Sequence, residues 1–255
     1  MEVGSVLITG ANRGIGLEFV RQFIQIPNPP RFVFATYRSE DKAQTLKDLQ
    51  KQSKISQVVL IKLDITNPTN LREARCIIAE KVGDIGLTLL INNAGVSKPL
   101  PFPQITEENL NYHFTTNTVG PIMLFQMMLP LLQRAAARKP SSKLAVSRAA
   151  VLNISSMVGS ITRTGVEFLK DLAVPGYKIS KAALNMSMRV IASNVKEQGI
   201  LVVMMCPGWV KTDMGTEHAE ITAEESISTI LKTLQKLDDS HHGAYMDRFG
   251  KPYSF

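Results

Sequence analysis

Tyr177 and Lys181 stand four residues apart within residues 174–184. If the chain is helical from about Tyr177 onward, the two side chains lie one above the other on the same face. A free tyrosine has a pKa of about 10, and a unit positive charge about 4 Å away contributes about 4 kcal/mol at an effective dielectric near 20. That interaction is enough to lower the pKa of the phenol to roughly 7. The pair is therefore a candidate acid–base unit, the alternative being two side chains that merely decorate a helix surface.

The composition predicts one globular domain covering residues 1–255, with 44% hydrophobic and 20% charged residues. The net charge of +7 is spread along the chain without a basic cluster, which argues against a nucleic-acid partner. No apolar run approaches the roughly 18 residues of a transmembrane helix, so we expect no membrane partner. The first residues lack the regions of a signal peptide, which favours a cytoplasmic protein. Cys76 and Cys206 lack metal-ligand spacing and are interpreted as buried, reduced thiols, so no metal site is expected.

A glycine-rich segment follows the first apolar run. Residues 5–9 predict a strand buried on both faces, and an amphipathic helix begins near Leu17. Between them lie Gly10, Gly14 and Gly16, in a GxxxGxG spacing rather than the commoner GxGxxG. Glycines permit a tight turn and a close backbone approach to pyrophosphate, and the helix N-terminus offers unpaired N–H groups. The segment therefore predicts a dinucleotide site.

The second predicted strand, residues 31–37, ends without the acid that holds the ribose 2′-hydroxyl of NAD. Arg38 follows it, and no carboxylate occurs before Glu40. Arg13, inside the glycine-rich segment, adds a second cation close by. Because a guanidinium can bind a phosphate through two hydrogen bonds, the two arginines favour NADP(H) over NAD(H). The alternative is that both are solvated surface residues.

The later apolar runs alternate with amphipathic segments. Further strands are predicted over residues 58–63, 87–91, 149–154 and 200–205, and a last one within the tail, residues 243–255. Helices are predicted over residues 40–52, 71–82, 106–132 and 177–197, with Pro121 kinking or splitting the third and residues 134–143 forming an exposed loop. This alternation predicts a single-domain Rossmann-type α/β fold, a doubly wound parallel sheet of about seven strands with helices on both faces.

Small and polar residues follow several strands, at the carboxyl edge of the sheet where ligands bind in open α/β folds. Residues 92–95 read Asn-Asn-Ala-Gly and would let the backbone approach a ligand. Asp64 ends the third strand, where it could reach an adenine edge or instead form a cap or turn before the next helix. Asn117 lies in an apolar neighbourhood, where it either bonds the backbone at a helix break or has a functional role.

Five segments in order resemble the short-chain dehydrogenase/reductase family along nearly the whole chain. They are residues 9–16 (TGxxxGxG), 92–95 (NNAG), 153–156, 177–181 (YxxxK) and 207–212. The pattern is most similar to the carbonyl reductase branch, particularly its sniffer-like and C-factor-like members. The resemblance implies an enzyme that uses NADP(H) to reduce ketones, aldehydes or quinones, and that forms a homodimer or homotetramer. The alternative is a low-turnover NADP(H)-binding sensor or signalling protein of the same fold.

The same resemblance implies a role for each site residue. Tyr177 would protonate the carbonyl oxygen, and Lys181 would lower the pKa of Tyr177 and hold the nicotinamide ribose. Ser156, rather than Ser155, would hydrogen-bond the substrate oxygen, and Asn117 would support a water in a proton relay. The residues expected to bind the cofactor are Gly10, Asn12, Arg13, Gly14, Ile15, Gly16, Arg38, Asp64, Ile65, Asn92, Ala94, Gly95, Tyr177, Lys181, Pro207, Gly208, Val210 and Thr212.

The chain departs from the family pattern just before Tyr177. The separation between Ser156 and Tyr177 is longer than usual, and residues 162–173 form an apparent insertion expected beside the substrate pocket. Pro175 and Gly176 are also unusual and are expected to fix the entry to the helix. Residues 212–225 match the mobile substrate loop of the family, but their identity does not define a substrate.

Overall fold

The apolar runs pair into a seven-stranded sheet in the computed structural model, which describes residues 2–139, 141, 143–165 and 173–255. The strands lie in the order β3-β2-β1-β4-β5-β6-β7, and every pairing is parallel. The predicted doubly wound Rossmann-type sheet is therefore confirmed. The strands are β1 Ser5–Ile8, β2 Phe32–Tyr37, β3 Gln57–Lys62, β4 Leu89–Asn92, β5 Ala150–Ile154, β6 Leu201–Cys206 and β7 Tyr245–Asp247.

Helices connect the strands, and several begin at polar caps. The side chains of Asn67, Thr106 and Thr222 accept hydrogen bonds from the first backbone N–H groups of the helices that follow them. Thr222 and Glu225 form a reciprocal capping box. The helices are α1 Gly14–Phe23, α2 Gln44–Gln52, α3 Pro68–Val82, α4 Glu107–Phe114, α5 Gly120–Arg138, α6 Pro175–Val195 and α7 Ala223–Leu234.

Alternate residues of each strand contribute to two cores, one on either face of the sheet. On β1, Leu7 packs into one core, and Val6 and Ile8 pack into the other. The core that contains Leu7 is covered by α3, α5 and α6, and the opposite core by α1, α2 and α7. Both faces are buried, which is why the strands read as continuous apolar runs.

The long helical region after β4 is divided near Pro121, as predicted, but it extends further than predicted. Helix α5 continues to Arg138, so residues 134–138 are not an exposed loop. Alanine has the highest helix propensity, and Ala135 and Ala136 pack against the core. Pro121 stands in the first turn of α5, and its ring nitrogen cannot donate a hydrogen bond to the helical turn before it. The break that was expected there is a π-helical segment, Thr115–Val119, between α4 and α5.

Two other predicted segments are divided in the structure. The helix expected over residues 40–52 consists of a 3₁₀ turn, Glu40–Lys42, followed by α2. The loop expected over residues 212–225 ends at the Thr222 cap, because α7 begins at Ala223. Within the described part of the chain, no helix has the length and apolar character needed to cross a membrane.

Candidate active site

A cavity of about 1060 Å³ lies at the carboxyl edge of the sheet, where the strand ends meet the start of α6. Its wall contains most of the residues predicted from the sequence, although Asn92 and Asn117 are not among them. Those that line it are Gly10, Asn12, Arg13, Gly14, Ile15, Gly16, Arg38, Asp64, Ile65, Ala94, Gly95, Ser156, Tyr177, Lys181, Pro207, Gly208, Val210 and Thr212.

Helix α6 carries Tyr177 and Lys181 on the side that faces this cavity. Pro175 starts the helix, where a fixed φ and a missing N–H are tolerated. Gly176 is required next to it, because a Cβ there would lie 2.6 Å from Asn109 Oδ1 and 2.8 Å from His113 Nδ1. Close contact between α4 and α6 therefore sets the position of Tyr177.

Lys181 is buried, with 4% of its surface exposed. Its ammonium donates a 2.7 Å hydrogen bond to the Ile154 carbonyl at the end of β5. The same nitrogen lies 5.7 Å from the centroid of the Tyr177 ring. Burial lowers the pKa of Lys181 to about 8, since a buried ammonium is poorly solvated.

Burial raises the pKa of Tyr177 to about 12, while a hydrogen bond with the Ser156 side chain acts in the opposite direction. This differs from the value of roughly 7 expected from the Tyr177–Lys181 spacing. The reason is that desolvation disfavours the phenolate, and the Lys181 ammonium is directed at a backbone carbonyl. Tyr177 is therefore protonated at neutral pH and suited to donate a proton.

The two serines of the turn after β5, Ser155 and Ser156, make different contacts. Ser156 faces the cavity and hydrogen-bonds Tyr177. The Ser156 side chain also caps a 3₁₀ turn, Met157–Gly159, by accepting from the Val158 N–H at 3.4 Å. Ser155 is buried and donates to Asn185 Oδ1 at 2.6 Å. The geometry thus brings Ser156, and not the Ser155 hydroxyl, to the phenol of Tyr177.

Asn117 lies in the π-helical segment and is fully buried. Its Oδ1 accepts from Val96 N at 2.8 Å, and its Nδ2 donates to Val96 O and to Ser180 Oγ, both at 2.9 Å. A Cβ on Gly95 would lie 3.2 Å from Asn117 Oδ1 and 3.9 Å from Lys181 Nζ, so Gly95 borders both groups. Asn117 therefore fixes the strand-end backbone from behind the cavity wall.

The glycine-rich segment leaves the first turn of α1 open to an anion. Arg13 is the N-cap and makes no side-chain cap hydrogen bond within the described structure. Gly10 and Gly14 have φ values of 63° and 51°, a region that favours glycine. A Cβ on Gly16 would lie 2.3 Å from Gly10 O, so the turn closes only with glycine there. The free N–H groups and the positive helix end fit the pyrophosphate of a dinucleotide.

Two arginines and few unpaired acids surround the end of β2. Arg38 is exposed on the cavity wall, and Arg13 forms an ion pair with Asp213. Glu40 forms a 2.6 Å ion pair with Lys47 and accepts a hydrogen bond from Tyr37. The acid next to Arg38 is thus already paired, which leaves a cationic wall suited to a phosphate.

Asp64 forms a turn at the end of β3 and also lines the cavity. Its Oδ1 accepts from Thr66 N at 2.9 Å and from Thr66 Oγ1 at 2.7 Å, forming a turn before α3. The N-cap of α3 is Asn67 and not Asp64. Asp64 and Ile65 also line the cavity, so the turn holds both residues at the site.

The short chain dehydrogenase family matches residues 4–222. The chain belongs to that family. It is 39% identical to an NADPH-bound carbonyl reductase from chicken fatty liver, with a TM-score of 0.95 over 100% of this chain and 95% of that one. It is 35% identical to the carbonyl reductase Sniffer of Drosophila melanogaster, with a TM-score of 0.93 over 100% of both chains. It is 32% identical to the C-signal protein of Myxococcus xanthus over 64% of this chain and 89% of that protein. The predicted resemblance is confirmed.

Asn92 has a different place in this short-chain dehydrogenase from the one predicted. It is buried, and its Nδ2 donates to Asn153 Oδ1 at 2.8 Å between β4 and β5. Asn93, which was not singled out, donates from Nδ2 to Thr9 O at 2.8 Å and to Gly10 O at 3.2 Å. Strand β4 ends at Asn92, so Asn92 contacts the neighbouring strand, while Asn93 lies in the loop that follows and supports the glycine-rich turn.

Two more buried groups lie beside Tyr177: His113, which had no signal in the sequence, and Cys206, which is buried as predicted, whereas Cys76 is exposed. The His113 ring packs edge-on against Tyr177 at 6.5 Å, donates to Asn109 O, and accepts from Lys98 N at 2.9 Å. Cys206 accepts from Met157 N at 3.2 Å, and burial raises the pKa of its thiol. Within the described residues, no group of three His, Cys, Asp or Glu side chains could hold a metal.

The predicted insertion at residues 162–173 is described only at its two ends, and residues 166–172 lie outside the described structure. At the first end, Thr162 N donates to Phe255 O at 3.0 Å, which joins the segment to the end of the chain. At the second end, Ala173 O accepts from Leu100 N at 3.0 Å. Both ends are thus held by backbone hydrogen bonds to other parts of the chain.

Proposed function

We propose that this short-chain dehydrogenase is an NADPH-dependent carbonyl reductase acting on ketones, aldehydes or quinones. The observation that carries the proposal is the Ser156 side chain hydrogen-bonded to a protonated Tyr177 on the cavity wall. The named carbonyl reductases from chicken and Drosophila, at 39% and 35% identity, support the same reaction. The bound nicotinamide would supply hydride, while the protein supplies orientation and a proton.

Ser156 and Tyr177 have different proposed roles at the substrate oxygen. The Ser156 hydroxyl donates a hydrogen bond to the carbonyl oxygen and orients it toward Tyr177. As the carbonyl carbon gains hydride, negative charge develops on that oxygen, and the Tyr177 hydroxyl transfers its proton to it. The products are an alcohol and a tyrosinate, which Lys181 stabilises while its ammonium is charged. Ser156, Tyr177 and Lys181 are therefore the proposed catalytic set, with Asn117 supporting it through Val96 and Ser180.

The proposed cofactor-binding site extends along the cavity wall from the glycine-rich turn to Lys181. The pyrophosphate would bind at the N-terminus of α1, beside Gly14 and Thr212, where a Cβ on Gly14 would lie 3.1 Å from Thr212 Cγ2. Arg13 and Arg38 would bind the 2′-phosphate, and Asp64 and Ile65 would border the adenine. The predicted cofactor residues that line the cavity are proposed as contacts, and Asn92 is left out because its side chain bonds Asn153.

The substrate would enter between the strand ends and the loop that precedes α7. The cavity wall also includes the apolar side chains Met157, Val174, Trp209 and Met214. Trp209 donates from its indole nitrogen to Gly215 O at 2.7 Å, which ties the wall to that loop. These side chains favour a substrate with an apolar group attached to the carbonyl. Residues 212–222 are proposed as the substrate loop. The whole chain, residues 1–255, is proposed to form a single domain.

The protein is proposed to be cytoplasmic and to form a homodimer or homotetramer. The outer face of α6 is the proposed contact between copies. Ile179, Met186 and Val190 stand seven and four positions apart on this helix and are 53%, 65% and 53% exposed. Such spacing places them on one side of a helix, away from the Leu184 side that packs into the core. Pairing this face with the same face of a second copy would bury all three side chains in a two-fold contact.

The test is NADPH oxidation, followed by absorbance, with a panel of quinones and aldehydes. Tyr177→Phe should reduce kcat about 10²- to 10⁴-fold, the usual contribution of a positioned general acid. Tyr112→Phe, a partly exposed tyrosine on α4, is the matched control and should behave as wild type. Equal turnover by wild type and Tyr177→Phe would contradict the proposal and favour a cofactor-binding sensor.

A further inference from the structure

Tyr245 on β7 reaches the backbone of the proposed catalytic serine. Its ring is almost completely buried, with 1% of its surface exposed. Its hydroxyl donates a 2.6 Å hydrogen bond to the backbone carbonyl of Ser156. The Ser156 side chain meanwhile bonds the phenol of Tyr177 on the other side. Two tyrosines from distant parts of the chain thus hold one serine.

Asn185 holds the same turn from helix α6. It stands four residues after Lys181 and eight after Tyr177, on the side of the helix that faces the strand ends. Its Oδ1 accepts from Ser155 Oγ at 2.6 Å, and its Nδ2 donates to Gly159 O at 3.4 Å. Its side chain also hydrogen-bonds the Tyr245 hydroxyl. Asn185 therefore bonds the residues on both sides of Ser156.

The turn formed by residues 155–159, here named the Ser156 turn, packs directly on the backbone of α6. A Cβ on Gly159 would lie 2.9 Å from both the carbonyl carbon and the Cβ of Lys181. The separation between this turn and α6 is therefore at its minimum. A shift of the turn would change the distance from the Ser156 hydroxyl to the Tyr177 phenol.

The end of the chain supports Tyr245 in its place. The Tyr245 ring contacts the rings of Tyr253 and Phe255, with centroids 5.3 Å and 5.6 Å away. Ser160 Oγ donates to Ser254 O at 2.7 Å, immediately after the Ser156 turn. Both the tyrosine and the segment that follows the turn are thus attached to residues 253–255.

We propose that Tyr245 and Asn185 are positioning residues that hold the Ser156 hydroxyl at the substrate oxygen. The inference rests on the proposed role of Ser156 in carbonyl reduction. Neither residue lines the cavity, so each acts through the Ser156 turn rather than on the substrate. Small displacements of a catalytic group cost large factors in rate, because reacting groups must be aligned to within a fraction of an ångström.

The first test is Tyr245→Phe, which removes one hydroxyl and keeps the buried ring. Ser156 O also accepts from Gly159 N at 2.9 Å, so its carbonyl keeps a partner and the variant should fold. We expect kcat to fall about tenfold, with the Kd for NADPH unchanged because the glycine-rich turn is untouched. Tyr253→Phe is the matched control and should retain the wild-type kcat. A Tyr245→Phe kcat within about twofold of wild type would overturn the inference.

A double-mutant cycle shows whether Tyr245 acts through Ser156. In a Ser156→Ala background, Tyr245→Phe should cause no further loss of kcat, because the hydroxyl that it positions is gone. The same loss in both backgrounds would overturn the inference while leaving the proposed reaction intact. Asn185→Leu should likewise lower kcat in the wild-type background and cause no further loss of kcat in the Ser156→Ala background.

A readout independent of turnover separates this inference from the proposed function. In the complex with NADPH, amide hydrogen exchange over residues 156–160 should be faster in Tyr245→Phe than in wild type and Tyr253→Phe. Unchanged exchange would overturn the positioning role. If exchange accelerates but the wild-type protein reduces no carbonyl in the panel, the contact holds the turn and the proposed function is the part that fails.

Discussion

The Lys181 ammonium lies 5.7 Å from the centroid of the Tyr177 ring. Its short hydrogen bond goes to the carbonyl at the end of β5, so the charge stands beside the phenol without bonding it. At this position the ammonium can stabilise a tyrosinate after proton transfer, while the phenol stays protonated before it. The arrangement therefore keeps the phenol available as a proton donor near neutral pH.

The pH dependence of reduction should reflect the titration of Lys181 before that of Tyr177. Its pKa is lowered to about 8, so the ammonium loses its charge as the pH rises through that value. The pKa of Tyr177 is raised to about 12, so the proton donor stays intact over the same range. We expect kcat/KM for reduction to be level below about pH 8 and to decline above it, as it reports the free enzyme.

The variant Lys181→Met tests that assignment. It should lower kcat/KM at every pH and remove the decline near pH 8, leaving a level profile until Tyr177 titrates. The measurement is a set of NADPH oxidation rates between about pH 6 and pH 10, in buffers of constant ionic strength. A decline near pH 8 that survives in Lys181→Met would assign it to another group.

Arg38→Ala should weaken NADPH binding and leave NADH binding unchanged. Arg38 is exposed on the cavity wall, and no ion pair of its own is found among the described residues. A hydrogen bond to a charged group contributes about 1.5 to 3 kcal/mol, so the Kd for NADPH should rise about tenfold to a hundredfold. Fluorescence titration with both cofactors measures the ratio, and Lys42→Ala, on the same wall, is the control. An unchanged NADPH-to-NADH ratio would remove Arg38 from the 2′-phosphate site.

Asp213→Asn should tighten NADPH binding, because Asp213 and a 2′-phosphate would compete for Arg13. The Arg13–Asp213 pair joins the glycine-rich turn to the proposed substrate loop, and its side chains are 61% and 73% exposed. An exposed pair contributes about 0.2 to 1 kcal/mol, so the Kd for NADPH should fall by up to about fivefold. Asp41→Asn removes another carboxylate from the cavity wall and should have a smaller effect. Equal effects of the two variants would point to general charge rather than to the ion pair.

Met186→Lys should reduce the assembly of the protein. Met186 is 65% exposed at the centre of the apolar stripe on α6, so a lysine there costs the monomer little. In a two-fold contact it would place two like charges together, and light scattering should show a lower mass. The control is Glu197→Lys, which also adds positive charge at an exposed position just after α6. It should leave the mass unchanged. A wild-type mass that corresponds to one chain would reject the proposed contact.

Local rules were sufficient to predict the motifs and most of the fold. The Gly10 and Gly14 conformations and the free N–H groups of α1 arise within a few residues, and so does the spacing of Tyr177 and Lys181 on one helix. Continuous apolar strands alternating with helices specify a parallel sheet, because strands of this kind must be covered on both faces. The sheet edge that carries the cavity follows from that topology.

Helix limits and side-chain directions were harder to predict, because burial competes with local preference. The alanines of α5 continue the helix into a segment that reads as polar, since Ala135 and Ala136 pack against the core. Asn92 and Asn93 are adjacent and of one type, yet only Asn93 contacts the glycine-rich turn. They differ because β4 ends at Asn92 and Asn93 lies in the loop that follows.

The amino-acid sequence by itself determined the fold class, the glycine-rich turn and the placement of Tyr177 and Lys181 on one helix face, because each depends on short-range spacing. Only the tertiary structure decided the protonation of Tyr177, since desolvation is set by every residue that closes around the phenol. It also decided which groups support Ser156. Tyr245 lies 89 residues from Ser156 along the chain, and only the pairing of β6 with β7 brings its hydroxyl to that carbonyl.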